Sequence, residues 1–280
     1  MQTKIIDGAM IASEIKEDLK KQVEDLKEKG LTPGLAVVLV GDNSASKVYV
    51  GNKKKACEYV GIKSFSYELP ENTSEDSLLE LIDTLNQDKK VHGILVQMPL
   101  PRHMDEQKVI KAIAPHKDVD GFHIENAGAL LVGAPGFISC TPAGIIELLR
   151  RYEVALEGKK CVVVGRSNIV GKPISLLLLR ENATVTICHS KTTNLEEEIK
   201  QADVVVVAVG KAKFVKGHML KEGAVVIDVG MNRDENGKLC GDVDFDSAQG
   251  IASLITPVPK GVGPMTIAML MYNCVLAVTH

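Results

Sequence analysis

The chain has 280 residues, 45% of them hydrophobic and 25% charged, the composition of a soluble globular protein of about two domains with an ample core. A net charge of −3, no Trp and only 4% aromatic residues exclude a general nucleic-acid binder, so small molecules are the expected partners. The opening MQTKIIDGAMIASEIKEDL spaces its charges too closely for a signal-peptide core, and no run is read as approaching a membrane span. A cytoplasmic protein is expected, with no membrane attachment. Cys57, Cys140, Cys161, Cys188, Cys240 and Cys274 show no CxxC spacing, so they read as reduced thiols in or near the core.

Ile11, Ile15, Leu19, Val23 and Leu26 recur at helical spacing with charges between them, predicting an amphipathic helix that ends at Gly30. After Pro33 the pattern predicts a strand over 35–40, a helix over about 44–60 and a strand over 63–69. A helix over 75–86 behind a Thr73 cap and a strand over 92–97 follow. The stretch 116–140, rich in Gly and short on periodicity, reads as a join. A second alternation starts at Thr141-Pro142 and adds strands over 161–164, 184–188, 204–209 and 225–229. The last segment, 263–278, is apolar around most of its circumference, which predicts a buried helix returning to the first domain. The fold class expected is α/β, as two α/β domains: residues 1–139 with 264–280, and residues 140–263.

The strongest local signal is KCVVVGRSNIVGKP, from Lys160 to Pro173. Four apolar residues run into Gly165, and Pro173 opens a helix where its missing N–H costs nothing, giving strand, loop and helix. Such a loop aims backbone N–H groups and the positive end of a helix dipole at one spot, as a dinucleotide pyrophosphate requires. The spacing departs from GxGxxG, with Ser167 at the second glycine and Gly171 one residue late, and an ordinary tight turn accounts for it equally well.

Four further constellations carry chemistry-bearing residues. Ser46, Tyr49 and Lys53 fall on one helical stripe, with Ala45, Val48, Ala56 and Val60 as a different, apolar face. The plainer reading of that stripe is a solvated one, because Lys53 opens a Lys-Lys-Lys run. Gln97 ends the strand of GILVQMPLP, where ligands of open α/β sheets bind, although a strand-end Gln is more often a surface residue. Asp118 and Asp120 precede Gly121 in KDVDGF, which an Asx turn would also explain. In TPVPKGVGPMT the prolines stiffen a loop, and Gly261 and Gly263 allow close backbone approach. Asp242, Asp244 and Asp246 alternate like metal ligands but bring no histidine, so no metal is expected.

Taken in register, SASKVYVGNK, GILVQMPLP, KDVDG, GRSNIVGKP, TICHSKT, DVGMNR and PVPKGVGPMT resemble the bifunctional methylenetetrahydrofolate dehydrogenase/cyclohydrolase family, FolD, nearly end to end. One departure is Lys260, where the family loop PGGVGPMT has its first glycine. The resemblance implies a homodimer of two-domain chains, folate in a cleft and NADP on a Rossmann-like second domain. It implies that Tyr49 stacks on the aminobenzoyl part of the folate and Lys53 is the catalytic amine. Gln97 then partners that lysine, Asp120 grips the pterin, and Ser46 joins the substrate site. Pro259, Gly261, Val262, Gly263, Pro264 and Thr266 line the folate, and Gly165, Arg166, Ser167, Ser190 and Met231 fall on NADP-binding positions. Tetrahydrofolate one-carbon derivatives are the implied substrates.

That chemistry suits these residue types. Loss of hydride from the one-carbon bridge leaves a cation stabilised by its flanking nitrogens, so the first step needs positioning and no metal. Opening the ring with water needs a group that handles protons, for which Lys53 is suited. Two rivals remain: a shikimate-dehydrogenase-like NADP oxidoreductase, which would not use the Tyr49/Lys53/Gln97/Asp120 set, and a non-catalytic folate or NADP sensor. At Lys260 a φ below zero is expected, because the loss of a glycine from a left-handed position is costly.

Overall fold

Apolar runs too short for helices and too uniform for half-exposed strands become parallel strands buried on both faces, and the amphipathic stretches between them become covering helices. A computed structural model describes residues 2–279, except the side chain of Ala45, so that member of the expected apolar face lies outside the described residues. The chain divides into two α/β units. One comprises Ser13–Cys140 with the chain from Ile267 onward, and the other comprises Thr141–Thr266 with the chain up to Ala12.

The chain begins with strand β1 (Lys4–Ile5) and helix α1 (Gly8–Glu28). The first unit then builds a three-stranded sheet from β2 (Gly34–Val40), β3 (Lys63–Leu69) and β4 (Gly93–Val96), in the order β3-β2-β4 and parallel throughout. Every residue of β2 and β4 is buried. Helix α2 (Ser44–Val60) starts where the Asn43 side chain accepts the Ser46 N–H at 3.0 Å, and stops at Gly61, whose φ of 89° closes a left-handed cap. Helix α3 (Glu75–Gln87) is capped by Ser74, which accepts the Ser77 N–H at 3.1 Å; the expected cap, Thr73, lies one residue too early. Leu78, Ile82 and Leu85 of α3 pack with Val38, Ile94 and Val96 as the core.

Aperiodic as it looks, the expected join contains helix α5 (Ile124–Val132), preceded by α4 (Glu106–Ala112) and followed by α6 (Cys140–Arg151). The sequence reading misses α5 because exposed apolar residues Ile124, Leu131 and Val132 blur its amphipathic pattern.

In the second unit, β5 (Lys160–Val164), α7 (Gly171–Arg180), β6 (Thr184–Cys188), α8 (Leu195–Lys200), β7 (Val204–Val207) and β8 (Val225–Asp228) follow in turn. A small hairpin of β9 (Asn232–Arg233) and β10 (Leu239–Cys240), helix α9 (Phe245–Ala248) and strand β11 (Leu254–Ile255) lead into α10 (Val262–Thr279). The main sheet is parallel, in the order β1-β11-β8-β7-β5-β6. The expected division placed residue 1 onward in the first domain. Instead β1 adds to the edge of this second sheet, Lys4 opposite Leu254 and Ile5 opposite Ile255. A two-residue strand has no period to read, and its partner lies at the far end of the sequence.

Two expectations about α10 and its approach need correction. The helix spans 18 residues with a mean hydropathy of 1.6, so by length and composition alone it could cross a membrane, contrary to the reading that no run approaches that length. Met265, Ala268, Leu270, Met271 and Cys274 are fully buried, the pattern of a core helix. Five of the six cysteines are buried and Cys240 is half-buried, all with free thiols.

Lys260 has φ +83°, the left-handed region, where a negative value is expected from its side chain. This conformation turns its carbonyl to accept the Ala9 N–H at 2.9 Å, one of the unpaired donors in the first turn of α1. A left-handed lysine costs about 1 kcal/mol relative to glycine. Lys260→Gly is therefore expected to raise the unfolding free energy by roughly 1 kcal/mol, read as a higher urea midpoint with unchanged slope; a lower midpoint would show that the side chain contributes more than its backbone costs.

Candidate active site

On α2 the stripe of Ser46, Tyr49 and Lys53 faces inward. Ser46 is 4% exposed, Lys53 8% exposed and Tyr49 half-buried, whereas Val48 of the expected apolar face is 63% exposed. Lys54 and Lys55 are exposed, so the lysine run is not one solvated face. A buried ammonium must keep its hydrogen bonds. The Lys53 Nζ donates to the Gln97 Oε1 at 3.1 Å, and the Gln97 Nε2 donates to the Met98 carbonyl at 2.7 Å. The second bond fixes the amide so that its oxygen, not its nitrogen, meets the lysine. Gln97 stands immediately after β4, with its own N–H bonded to the Val38 carbonyl. Burial raises the Tyr49 hydroxyl above the ordinary phenol range, so the ring meets any ligand as a neutral phenol.

Asp120 belongs to the same unit and keeps a partly exposed surface. Burial raises its carboxyl, against the opposing pull of the Lys53 charge and of the Cys140 thiol beside it. Asp118 does not share the site. Its Oδ2 accepts the His123 N–H at 2.7 Å and the Asn126 Nδ2 at 2.9 Å, and burial pushes it up to about 6. It is a structural acceptor that ties the loop to the start of α5. Of the KDVDG pair, Asp118 is 2% exposed and only Asp120 keeps a partly exposed surface.

The second unit explains the irregular glycine spacing. Gly165 has φ +133°, and a Cβ there would stand 2.2 Å from the Ala208 carbonyl oxygen. A Cβ on Gly171 would stand 2.3 Å from the Gly165 carbonyl oxygen, so the late glycine lets α7 begin against the turn itself. The Ser167 Oγ accepts the Val170 and Gly171 N–H groups at 3.1 and 3.3 Å, organising the loop from within while its own proton stays available. Arg166 is exposed beside it. Ser190 is exposed at the tip of a turn closed by His189 and Thr192 after β6, with no carboxylate there. Met231 is 47% exposed, its Cε 3.3 Å from where a Cβ on Gly263 would lie.

Not every glycine in the PVPKGVGPMT loop faces outward. Gly261 is buried, and a Cβ there would meet the Pro257 carbonyl oxygen at 2.4 Å. Val262 is also buried, Pro259 is exposed, and Gly263, Pro264 and Thr266 are half-buried. The Thr266 and Thr141 hydroxyls bond at 2.8 Å.

Asp242 is fully buried, and its carboxylate is directed to N–H donors: Val209, Gly210, Lys211 and the Asn232 side chain, at 2.6 to 2.9 Å. Its partner Asp228, at the end of β8, accepts the Gly230, Asp242 and Val243 N–H groups at 2.8 to 2.9 Å. The sequence reading does not single out Asp228, although a lone carboxylate ending the buried run Val225, Val226, Ile227 marks it. A cavity of about 390 Å³ at the amino ends of β5, β7 and β8 lies at the wrong end of the strands for such a site, and its Lys221 is already neutralised by Asp203 at 2.6 Å.

A six-stranded parallel sheet with a glycine turn at a helix start, in a chain whose other α/β unit bears a buried lysine–amide pair, defines a dinucleotide-dependent enzyme with a separate substrate domain. Comparison with known proteins makes this specific. Residues 6–120 match the family model described as tetrahydrofolate dehydrogenase/cyclohydrolase, catalytic domain, and residues 139–280 match that family's NAD(P)-binding domain. A relative in Agathobacter rectalis, bifunctional protein FolD, is 63% identical over 98% of both chains. The crystal structure of the bifunctional FolD enzyme from Campylobacter jejuni superposes with a TM-score of 0.97 at 51% identity, covering 99% of each chain. The Trypanosoma brucei FolD, solved with NADP cofactor and inhibitor, gives 0.95 at 38% identity over 100% of this chain and 98% of that one. The chain belongs to the tetrahydrofolate dehydrogenase/cyclohydrolase family. Shikimate dehydrogenase from Aquifex aeolicus, at 16% identity and a TM-score of 0.51, shares the fold alone, so the shikimate-dehydrogenase-like alternative is not favoured.

Burial pushes the Asp228 carboxyl up to about 7 despite its three backbone donors. An unfolded aspartate titrates near 4, so the native state holds a proton that the unfolded chain has released above that pH. Stability from this group is present below about pH 4 and lost as pH rises through about 7. Asp228→Asn, which cannot ionise, is expected to flatten the fall in unfolding free energy over that window. Denaturation midpoints measured across it check this, and an unchanged slope would assign the fall to other groups.

Proposed function

We propose that the chain oxidises 5,10-methylenetetrahydrofolate to the 5,10-methenyl form with NADP and hydrolyses that product to 10-formyltetrahydrofolate. The observation that carries the reading is the buried Lys53 amine held at 3.1 Å by the oriented amide of Gln97. A sensor that only binds would have no use for such an amine. In this assignment Tyr49 stacks on the aminobenzoyl part, Ser46 joins the substrate site and Asp120 grips the pterin. Pro259, Gly261, Val262, Gly263, Pro264 and Thr266 also belong to the folate-binding set, Gly261 by shaping the loop backbone. Gly165, Arg166, Ser167, Ser190 and Met231 serve NADP.

The residues present fit NADP: the Gly165–Gly171 turn puts the positive end of the α7 dipole at the carboxyl end of β5, and the exposed Arg166 guanidinium and Ser190 hydroxyl stand ready to meet phosphate. NADP, when bound, accepts the hydride. Holding the folate in register is then the protein's main contribution to the first step. In the second, Lys53 orients water and moves its proton as the ring opens, while Gln97 keeps the amine in place. Such a product would supply one-carbon units to purine biosynthesis. We further propose a cytoplasmic homodimer, on the family resemblance and on a composition that offers no basic patch for nucleic acid.

The decisive experiment is absorbance of the methenyl product on mixing the purified protein with methylenetetrahydrofolate and NADP. No signal with either nicotinamide cofactor would favour the non-catalytic sensor. Lys53→Gln should cut cyclohydrolase turnover by about 100- to 10,000-fold and leave reduced dehydrogenase activity, so that the methenyl product accumulates. The exposed neighbours provide controls: Lys54→Gln and Lys55→Gln should be nearly silent, and a Lys53 variant that behaves like them would remove the lysine from the mechanism.

Cofactor preference rests on Arg166. NAD-specific Rossmann units place an Asp or Glu at the end of the second strand to bind the ribose hydroxyls, and β6 ends here without one. A guanidinium and the Ser190 hydroxyl suit a phosphate instead. Arg166→Ala should raise the Michaelis constant for NADP far more than that for NAD; equal effects on the two cofactors would place Arg166 at the pyrophosphate or in packing.

A further inference from the structure

Resting on the assignment of Asp120 to the folate, we infer that Asn273 is a positioning residue that sets where the Asp120 carboxylate sits. Asn273 is 3% exposed on the otherwise apolar helix α10, where a polar side chain is expensive unless its donors are used. Its Nδ2 donates to the Val119 carbonyl at 2.8 Å and to the Ile138 carbonyl at 3.1 Å, with the Cys140 sulfur at 3.7 Å. Val119 directly precedes Asp120. Ile138 belongs to the neighbouring segment that leads into Cys140. One amide therefore ties together the two backbone segments that carry the carboxylate and the thiol beside it.

Two independent contacts show that these segments have a single register to hold. Gly121 has φ +73°, and a Cβ there would lie 2.6 Å from the Ser139 nitrogen, so the segments already touch backbone to backbone. The Cys140 thiol donates to the same Val119 carbonyl at 3.3 Å. On the other side of Val119, Asp118 is pinned by His123 and Asn126. The Asp120 side chain is flanked by the Cys140 thiol and the Lys53 charge, so its position follows from where the Val119 peptide and the Cys140 segment are held. Remove the amide and the buried Val119 carbonyl and the half-buried Ile138 carbonyl each lose a donor, the peptide is freer to turn, and the carboxylate moves relative to Lys53.

The test is a double-mutant cycle on the full-length enzyme. Asn273→Leu, similar in size but without donors, should raise the KM for methylenetetrahydrofolate by about tenfold or more and leave the KM for NADP within about twofold. In an Asp120→Asn background the same substitution should add little further rise. Val275→Ala, which trims a buried side chain on the same helix, controls for loss of packing and should leave the folate KM alone. Should Asn273→Leu fail to fold, Asn273→Ser, which keeps one donor, should give a smaller rise in the same cycle. An unchanged folate KM in the Asn273 variants, an equal rise from Val275→Ala, or fully additive effects with Asp120→Asn would each overturn the inference alone. An Asp120→Asn variant with unchanged folate KM would overturn the underlying assignment and this inference with it.

Discussion

Strands buried on both faces can carry no polar side chain without a partner, and this constraint decides where chemistry can occur in the molecule. Strands β4, β5 and β8 are apolar along their buried lengths, and each yields a polar or conformationally special residue where it ends: Gln97, Gly165 and Asp228. After β5 the helix α7 begins within the turn, so a partial positive charge gathers beside Gly165, whereas Asp228 meets the backbone N–H groups of Gly230, Asp242 and Val243. Both units place their special residues at the same end of the strand, an amide that holds an amine in one and a tight glycine turn in the other.

The lysine–glutamine pair shows how burial gives a common side chain an unusual setting. An exposed lysine is solvated and mobile, as Lys54 and Lys55 are. Lys53 has lost nearly all contact with water and retains a hydrogen bond to an acceptor that cannot rotate away, because Gln97 is itself anchored to the Met98 carbonyl. In the proposed mechanism a fixed amine near a partly exposed carboxyl group would supply what ring opening by water requires, a proton carrier already in place.

In the second unit, close approach takes the place of side chains. Gly165 and Gly171 bring turn and helix within a distance that no Cβ would allow, and Ser167 bonds the loop internally. Asp228 and Asp242 between them collect the N–H groups of residues 209–211, 230, 242 and 243, which ties an irregular region together without regular structure. Lys260 is the local exception, a side chain kept in a glycine conformation because its carbonyl is needed by the first turn of α1.

Read alone, the sequence determined the alternation of strands and helices, because hydrophobic period and turn residues are local: α2 and β3 lie where spacing and Gly61 put them. It also carried the residue types of the site, and motifs in register identified the family. It did not determine which face of α2 turns inward, since a lysine run and a hydroxyl stripe read as solvated until the buried contacts of Lys53 are known. Nor did it reveal that β1 completes the second sheet, that Asp118 is structural while Asp120 is open to a ligand, or that Asn273 reaches the carbonyl ahead of Asp120. Those facts were decided by tertiary structure. Each depends on partners far apart in the chain, and a buried donor's value is set by the acceptor it meets, which no local pattern records.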